Sequence, residues 1–332
     1  MSQMKEARYY EKLDGGKVHC SLCPNNCVIA DGKRGACRVR KNEGGTLYSL
    51  IYGNVTSVAM DPVEKKPLYH FHPGREILSV GTLGCNLGCL FCQNYAISQG
   101  EAPTQGLRPG QAVAAALQHN SIGIAYTYNE PFIWLEYVLE TAALARERGL
   151  KNVLITNGYV QQEPLREALP LIDALNIDIK SIRPEFYREI CRGKLEPVLD
   201  ACVTASKQAH VEVTNLVIPG HNDTDEDFEK LSSWIAANLG RRTPTHFSAY
   251  YPCYKMTAPP TPLPTLERAW GIASQHLDHV YLGNVHSRKG SATACASCKA
   301  TLIERAGYRV KIVNLAGDGR CRACGADNNI VV

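Results

Sequence analysis

The sequence predicts an α/β fold, because strand-like and helix-like segments alternate from residue 76 to residue 283. Several predicted strands are continuous apolar runs such as Val153-Leu154-Ile155, which is typical of parallel strands covered on both faces. Repeated strand–helix units demand a parallel sheet with right-handed crossovers, either curved into a barrel or open and doubly wound. Cysteine-rich segments flank this region, which predicts an N-terminal extension (1–75), a body (76–283) and a C-terminal ribbon (284–332).

The bounds of the predicted elements come from apolar periodicity and from helix-capping residues. The strand candidates are 76–81, 121–127, 151–156, 174–179, 210–218, 245–251 and 279–283. The helix candidates are 110–119, 131–148, 160–169, 184–190, 195–208, 224–238 and 264–277. The last helix but one opens with Thr224-Asp225-Glu226-Asp227, a capping-box pattern. We therefore interpret its acidic residues as a helix N-terminus and not as a metal site.

The N-terminal extension carries weaker signals. Residues 1–17 are expected to form a polar helix or tail, and Thr46–Ala59 one or two strands. The prolines of Asp61-Pro62-Val63-Glu64-Lys65-Lys66-Pro67 predict a loop.

The composition is that of a globular protein of the cytoplasm. The 332 residues are 45% hydrophobic and 20% charged, and no run approaches the ~18 apolar residues that span a bilayer. The first six residues contain no apolar signal core, so we expect a cytoplasmic protein with no membrane association. Fourteen cysteines in such a compartment predict metal ligands rather than disulfides.

Charge is distributed unevenly along the chain. The two flanks each carry a net charge of +5 and the body carries −6. Neither flank interleaves its basic residues with the aromatic side chains that stack on bases. The charges therefore predict flanks that dock on the body, and no nucleic-acid partner.

Three cysteines on one loop are the strongest chemical signal. Cys85, Cys89 and Cys92 follow an apolar strand in a Cys-x3-Cys-x2-Cys pattern, with the aromatic Phe91 before the last thiol. A closed zinc site or a fully protein-ligated four-iron cluster needs four ligands. Three thiols indicate a [4Fe-4S] cluster with one iron left for a non-protein ligand.

This loop resembles the signature of the radical SAM superfamily. The resemblance implies a partial (β/α)6 barrel with its ligands at the C-terminal ends of the strands, and S-adenosylmethionine (SAM) bound to the open iron. It also implies a one-electron reductant such as flavodoxin or ferredoxin. In that chemistry SAM is cleaved to methionine and a 5′-deoxyadenosyl radical, which abstracts a hydrogen atom from a substrate.

Polar residues follow several predicted strands and are the candidate site residues. Tyr128, Asn129 and Glu130 follow the second strand, Asn157 the third, Asp178 and Lys180 the fourth, and Thr214 and Asn215 lie in the fifth. Each also has a structural alternative, such as a helix cap for Glu130, a turn for Asn157 or a surface ion pair for Asp178 and Lys180.

Within the superfamily, the activating enzymes of glycyl radical enzymes suggest roles for some of these residues. Their Gly-Gly-Glu-Pro motif corresponds to Tyr128–Pro131, which implies that Glu130 binds the SAM ammonium group although both glycines are replaced. The placement of Tyr128, Asn129, Asn157 and Asn215 at the ends of the predicted strands predicts that they too contact the cofactor. Asp178 and Lys180 match an Asp-x-Lys motif and are the predicted catalytic pair, and Thr214 stands where those enzymes have an arginine.

Two further groups of four cysteines lie in the flanks. Cys20, Cys23, Cys27 and Cys37 predict a closed site, with zinc as the first assignment and an iron–sulfur cluster as the second. Cys295, Cys298, Cys321 and Cys324 form a double Cys-x2-Cys typical of a zinc ribbon, with a rubredoxin-like iron as the alternative. The remaining thiols, Cys191, Cys202 and Cys253, are interpreted as core or incidental residues.

The order of the motifs along the chain resembles the radical SAM proteins of the AmmeMemoRadiSam system, whose other proteins are then candidate partners. We predict an unidentified small or medium substrate enclosed by the flanks, near Asp178, Lys180 and His286; the alternative for the flanks is that they pack at the bottom or side of the barrel and only stabilise it. The first alternative is an activase that forms a glycyl radical on a protein partner. An alternative of another class is a metal-rich scaffold without turnover, which has no use for a three-cysteine loop.

Overall fold

Nineteen strands and eight α-helices make up the described structure, a computed structural model that covers residues 4–332. The strands are β1 Lys5–Glu6, β2 Tyr10–Leu13, β3 Lys17–Cys20, β4 Cys27–Ile29, β5 Arg40–Glu43, β6 Thr46–Ser49, β7 Asn54–Val55, β8 Ser57–Pro62, β9 Glu76–Gly81, β10 Gln105–Gly106, β11 Gly123–Tyr126, β12 Lys151–Thr156, β13 Ala174–Asp178, β14 His210–Val217, β15 Thr245–Ala249, β16 Val280–Gly283, β17 Thr293–Ala294, β18 Thr301–Ala306 and β19 Arg309–Ile312. The helices are α1 Tyr95–Ser98, α2 Pro109–Gln118, α3 Leu135–Glu147, α4 Gln162–Ala168, α5 Pro184–Phe186, α6 Glu196–Ala205, α7 Asp225–Asn238 and α8 Leu263–His276.

The central sheet has the strand order β16-β15-β14-β13-β12-β11-β9-β8. Seven of these strands are parallel, and only β8 pairs antiparallel, at the edge. From β9 to β16 each parallel strand lies beside its predecessor in the sheet, so the order never reverses as it does in a doubly wound sheet. The two edge strands are not paired with each other, which makes the sheet a partial barrel. The predicted fold class is confirmed.

Local sequence explains the main elements of this sheet. All four residues of β11 and the last five of β9 are buried, because helices cover one face and chain fills the other. The Thr224 hydroxyl oxygen accepts the backbone N–H of Asp227, and the Thr224 backbone N–H donates to the Asp227 carboxylate, so the acidic run caps α7 as predicted. Helix α3 follows a 3₁₀ turn that starts at Pro131. The segment predicted as one helix over 184–190 is instead α5 and a π-turn over Tyr187–Cys191.

The N-terminal extension differs from the expectation. Residues 5–6 and 10–13 are strands rather than a helix or tail, because they pair with later strands of the same extension. Thr46–Ala59 supplies β6, β7 and the start of β8. Residues 57–62 belong to the central sheet, so the sheet begins well before the predicted boundary at residue 76.

A segment that is buried except at Lys65 and a few half-buried positions, residues 63–72, crosses the inner face of the sheet. Its apolar side chains form one cluster with inward-facing residues of four strands: Val63, Leu68, Phe71, Ile77, Ala125, Val153 and Ala174. Asn176 Nδ2 donates to the Pro67 carbonyl at 2.7 Å. The Glu212 carboxylate accepts the backbone N–H groups of Tyr69 and His70 at 3.0 and 2.7 Å. This segment, which we call the inner strap, fills the N-terminal half of the barrel and was expected to be a loop followed by unassigned chain.

The C-terminal ribbon, β17 to β19, docks at the N-terminal end of the barrel strands. The His70 ring contacts the Asn328 carbonyl at 3.0 Å and the Tyr281 hydroxyl at 2.6 Å. Arg305 donates to the Tyr69 carbonyl at 2.6 Å. The ribbon therefore lies at the opposite end of the barrel from the strand ends that carry the predicted site. The prediction that the flanks enclose the substrate is wrong for this ribbon, because its contacts are with the N-terminal ends of the strands. Within residues 4–332, no helix is long and apolar enough to cross a membrane.

Candidate active site

One cavity of about 350 Å³ lies at the C-terminal ends of the parallel strands. Ten residues predicted from the sequence line it: Cys85, Cys89, Cys92, Tyr128, Asn129, Glu130, Asn157, Asp178, Lys180 and Thr214. These residues come from the ends of β11, β12 and β13, from β14 and from the loop after β9, and parallel strands bring their C-terminal ends to one rim. The cavity also has lining residues that the sequence did not single out as site residues, among them Lys65, Lys66, Ser98, Ser248 and Asn284.

The three loop thiols are held by hydrogen bonds on every side. Asn157 Nδ2 donates to Cys85 Sγ at 3.5 Å, and Cys92 Sγ lies 3.1 Å from the Ser98 hydroxyl. The buried thiol of Cys191 lies beside Cys89. Cys191 and Cys253 also pack around this loop, although we interpreted them from the sequence as core or incidental thiols. The Sγ atom of Cys253 lies 3.6 Å from the Cys92 carbonyl. No local sequence pattern connects Cys191 or Cys253 with the Cys85 loop.

The environment of these thiols suits metal ligands. Burial raises the pKa of Cys85 and Cys92, and the neighbouring Cys191 thiol together with burial raises the pKa of Cys89. Thiolates in such surroundings need a compensating cation, and a bound metal deprotonates a coordinating thiol outright. Three thiols on one loop facing one cavity therefore fit a [4Fe-4S] cluster with an open position.

Glu130 lies at the back of the cavity and is only 1% exposed. Its carboxylate accepts the Thr156 hydroxyl at 2.8 Å and the N–H groups of Phe132 and Asn157 at 3.0 and 2.9 Å. Burial raises its pKa to about 7, against the opposing effect of these hydrogen bonds. Glu130 is thus both the cap of the following turn and an acid facing the cavity, and the two roles are compatible.

Asn129 and Asn157 form hydrogen bonds that hold the Cys85 loop in place. Asn129 accepts the Thr82 N–H at 3.1 Å and donates to the Gly84 carbonyl at 3.1 Å, which fixes the chain entering the Cys85 loop. Asn157 Nδ2 also donates to Asn86 Oδ1 at 3.0 Å. Through Asn157, Glu130 is connected to Cys85 by two hydrogen bonds.

Tyr128 links the cavity to the inner strap. It has a positive φ of 72°, a conformation that costs a non-glycine residue of order 1 kcal/mol or more. Its hydroxyl donates to Asp61 Oδ2 at 2.6 Å, and its ring lies 4.6 Å from Lys66 Nζ. Asp61 also accepts Lys65 Nζ at 2.7 Å and Lys66 Nζ at 2.8 Å.

Asp178 and Lys180 form an ion pair of 3.0 Å on the wall of the cavity. Burial opposes the charge on Lys180, but the neighbouring Asp178 and the thiols Cys89 and Cys191 raise its pKa. Beside the pair stands Thr214, which is 8% exposed and whose hydroxyl has no hydrogen-bond partner.

Two residues expected at the site lie outside the cavity. Asn215 is buried and donates to the Ile179 carbonyl at 2.8 Å, because alternate residues of a strand face opposite sides and its neighbours Thr214 and Leu216 face inward. His286 is exposed and does not line the cavity, whereas Asn284, two residues earlier, does.

The N-terminal four-cysteine group lies beside the Cys85 loop. Cys20 and Cys27 are paired across β3 and β4, and with Cys23 and Cys37 they line a cavity of about 10 Å³. A space of that size holds about one water-sized particle. The buried Arg40, which bonds Glu136 of α3 at 2.5 Å, also lines this cavity and ties the extension to the barrel.

The C-terminal four-cysteine group has the geometry of a tetrahedral metal site. Its Sγ atoms all lie within 4.8 Å of one another, with 3.6 Å from Cys295 to Cys324 and 3.7 Å from Cys298 to Cys321. Four sulfurs placed 2.3 Å from one tetrahedral ion lie about 3.8 Å apart. In the part of the chain that the structure describes, no other group of three or more candidate ligands converges so closely.

Comparisons with known proteins agree with this geometry. The family model of the radical SAM superfamily matches residues 79–235. An uncharacterised protein of Methanocaldococcus jannaschii is 47% identical over 99% of this chain and all of its own length. The pyruvate formate-lyase-activating enzyme of Streptococcus mutans is 24% identical over 46% of this chain and 63% of its own. Among solved structures, a radical SAM methyltransferase from Sphaerobacter thermophilus matches with a TM-score of 0.54 at 15% identity, covering 91% of this chain and 82% of that one.

Proposed function

Because the chain belongs to the radical SAM superfamily, we propose that it is a radical SAM enzyme acting on a small or medium substrate at the cavity described above. With a [4Fe-4S] cluster on Cys85, Cys89 and Cys92, the bound group supplies the reductive cleavage of SAM and a 5′-deoxyadenosyl radical that abstracts hydrogen. The observation that carries the proposal is that these three thiols and the buried acid Glu130 face one cavity.

The residues of the chain have distinct roles in this proposal. Glu130 accepts the SAM ammonium group, and the bond from Asn157 to its carboxylate keeps it aimed at the cavity. Asn157 also positions Cys85. Asp178 and Lys180 are the catalytic pair nearest the substrate, where the paired charges bind or orient polar groups.

The flanking cysteines have structural roles in this proposal. The Sγ spacing at Cys295, Cys298, Cys321 and Cys324 supports zinc, with iron as the alternative. The thiols of Cys20, Cys23, Cys27 and Cys37 line one small cavity, and we assign them a zinc ion, with an iron–sulfur cluster as the alternative. A one-electron reductant such as flavodoxin or ferredoxin supplies the electron, and other proteins of the AmmeMemoRadiSam system are candidate partners.

The test uses anaerobically reconstituted full-length protein. We expect a site-differentiated [4Fe-4S] signal in electron paramagnetic resonance that shifts when SAM is added, and 5′-deoxyadenosine on reduction. Cys89→Ala is expected to abolish all three. Cys202→Ala is the matched control, because Cys202 is equally buried but lies in α6. An unchanged cluster spectrum in Cys89→Ala would place the cluster elsewhere.

The second candidate is an activase that forms a glycyl radical on a protein partner. It is favoured by the similarity to the activating enzyme of Streptococcus mutans, which covers less than half of this chain. Against it, the N-terminal extension lies beside the Cys85 loop and the inner strap closes the barrel below the cavity. A doublet glycyl signal on a partner protein co-purified from cell extract would decide for the activase.

A further inference from the structure

At the floor of the cavity, which Lys65 and Lys66 form, two positive side chains share one negative side chain. Lys65 and Lys66 line the cavity, and both ammonium groups bond the single carboxylate of Asp61, at 2.7 and 2.8 Å. Asp61 itself is only 4% exposed and is not a lining residue. One lysine suffices to neutralise one carboxylate, so the group as a whole keeps one positive charge facing the cavity.

We propose that Lys65 and Lys66 form an anion-binding subsite that takes a carboxylate or phosphate group of a bound ligand. The subsite deepens the proposed function, since the ligand is either SAM, through its methionyl carboxylate, or an acidic substrate.

The two lysines are held in complementary ways. The side chain of Lys66 is 2% exposed and lies between Asp61 and the face of the Tyr128 ring, so its position is fixed. The side chain of Lys65 is 45% exposed and is free to turn from Asp61 toward a ligand. Lys66 thus offers a positive charge at a fixed position, and Lys65 offers one that can move toward a ligand. This combination suits an anion that binds and is later released.

The rest of the inner strap fixes this floor from below. Asn176 holds the Pro67 carbonyl, and Glu212 holds the backbone of Tyr69 and His70. Tyr128 is kept in a left-handed conformation with its hydroxyl on Asp61. Such strain persists only where the surroundings over-determine it, and it is common at binding sites.

The two acids that line the cavity do not balance the charge at the floor. Asp178 is paired with Lys180, and Glu130 is the acceptor of the SAM ammonium group in the proposed function. Burial lowers the pKa of Lys66, against the opposing effect of Asp61. Thr214, whose buried hydroxyl has no partner, lines the same cavity and adds a possible donor.

The experiment compares Lys65→Met with two control variants in reconstituted, anaerobic protein. Lys65 is chosen because its side chain is 45% exposed and Lys66 remains bonded to Asp61 when Lys65 is removed, so the variant is expected to fold. Lys65→Arg keeps the charge. Lys289→Met removes a lysine of similar exposure, which is ion-paired to Glu267 on the surface. Dissociation constants are measured by calorimetry for SAM, inorganic phosphate and succinate.

We expect Lys65→Met, but neither control, to raise the dissociation constant of at least one probe by about fivefold or more. Weaker SAM binding assigns the subsite to the methionyl carboxylate. Weaker phosphate or succinate binding, with SAM unchanged, assigns it to an acidic substrate. Unchanged binding of all three probes would overturn the subsite. The cluster spectrum and 5′-deoxyadenosine formation, recorded on the same samples, show separately whether the proposed function holds.

Discussion

Asn25 Nδ2 donates to the Asn86 carbonyl at 2.8 Å, so the N-terminal four-cysteine group touches the Cys85 loop directly. Asn86 in turn donates to the Tyr159 carbonyl at 2.6 Å and accepts from Asn157 at 3.0 Å. A second contact lies next to the loop, where Gly84 packs so closely on the Cys37 carbonyl that a Cβ there would lie 2.7 Å from it. The N-terminal extension is therefore part of the wall that supports the predicted cluster.

The first prediction concerns this contact. Asn25→Ala leaves the part-buried Asn86 carbonyl short of one donor, at a cost of about 1–3 kcal/mol. We expect iron content to stay near that of the wild type while SAM binds about threefold or more weakly, because the loop is less well fixed. Asn238→Ala is the matched control, since that amide also donates to a carbonyl at 2.8 Å but lies on the exposed face of α7. Equal SAM affinity in both variants would mean that the contact only packs the extension.

The second prediction concerns Glu130. Glu130→Gln removes a charge-assisted bond to the SAM ammonium worth about 1.5–3 kcal/mol, so SAM affinity should fall roughly tenfold or more. Thermal melting should show a folded protein. Glu185→Gln, an exposed acid in α5, is the control. If Glu130→Gln binds SAM like the wild type, the residue is only a cap.

The third prediction follows from the protonation of the same residue. Burial raises the pKa of Glu130 to about 7, so lowering the pH from 7.5 to about 6 neutralises the carboxylate while the SAM ammonium, with a pKa near 8, stays charged. SAM affinity should therefore fall toward acid pH in the wild type. Titrations across this range should show no such fall in Glu130→Gln, and a parallel fall in both proteins would assign the effect to another group.

The fourth prediction concerns the C-terminal ribbon. Cys298→Ser removes one of four converging sulfurs, so metal analysis should show about one zinc fewer per chain and the melting temperature should fall. Formation of 5′-deoxyadenosine should persist, because the ribbon docks at the opposite end of the strands from the cavity. Ser297→Ala, at the neighbouring position, is the control and should change neither the zinc content nor the melting temperature. Iron in place of zinc, with turnover lost in Cys298→Ser, would indicate electron transfer through the ribbon.

The fifth prediction concerns acid stability at the base of the barrel. Burial lowers the pKa of His279 to about 4, and His70, whose ring centroid lies 4.5 Å away, also has a lowered pKa through burial. A histidine with a lowered folded pKa takes up its proton more readily when unfolded, so its stabilising effect is lost as the pH falls from about 6.5 toward 4. For His279 the loss by pH 5 is about 2 kcal/mol.

Denaturant unfolding at pH 7 and pH 5 measures this effect. His279→Gln should be less sensitive to acid than the wild type, by about the same 2 kcal/mol. His119→Gln, at the exposed end of α2, is the control and should retain the full pH dependence. Equal acid sensitivity in His279→Gln and the wild type would shift the origin of the effect to other groups.

Local sequence was sufficient to predict those parts of the protein that are determined by residues close together in the chain. The seven parallel strands were predicted to within a few residues, because each is a short apolar run bounded by turn residues. The Cys85 loop and the Cys-x2-Cys pairs were identifiable because their ligands lie within a few residues of one another. The barrel itself was expected from the family resemblance, since strand–helix alternation is the same in a barrel and in a doubly wound sheet.

Only the tertiary structure decided which distant residues meet. The inner strap carries Lys65 and Lys66 to the cavity floor, although its prolines and charges are typical of a surface loop. Thr214 faces the cavity and Asn215 faces away, because the register of β14 in the sheet sets which alternate residues point inward. The strands β1 and β2 form only because they pair with chain later in the extension. Such contacts depend on how the whole chain packs, and a pattern read within a few residues contains no information about them.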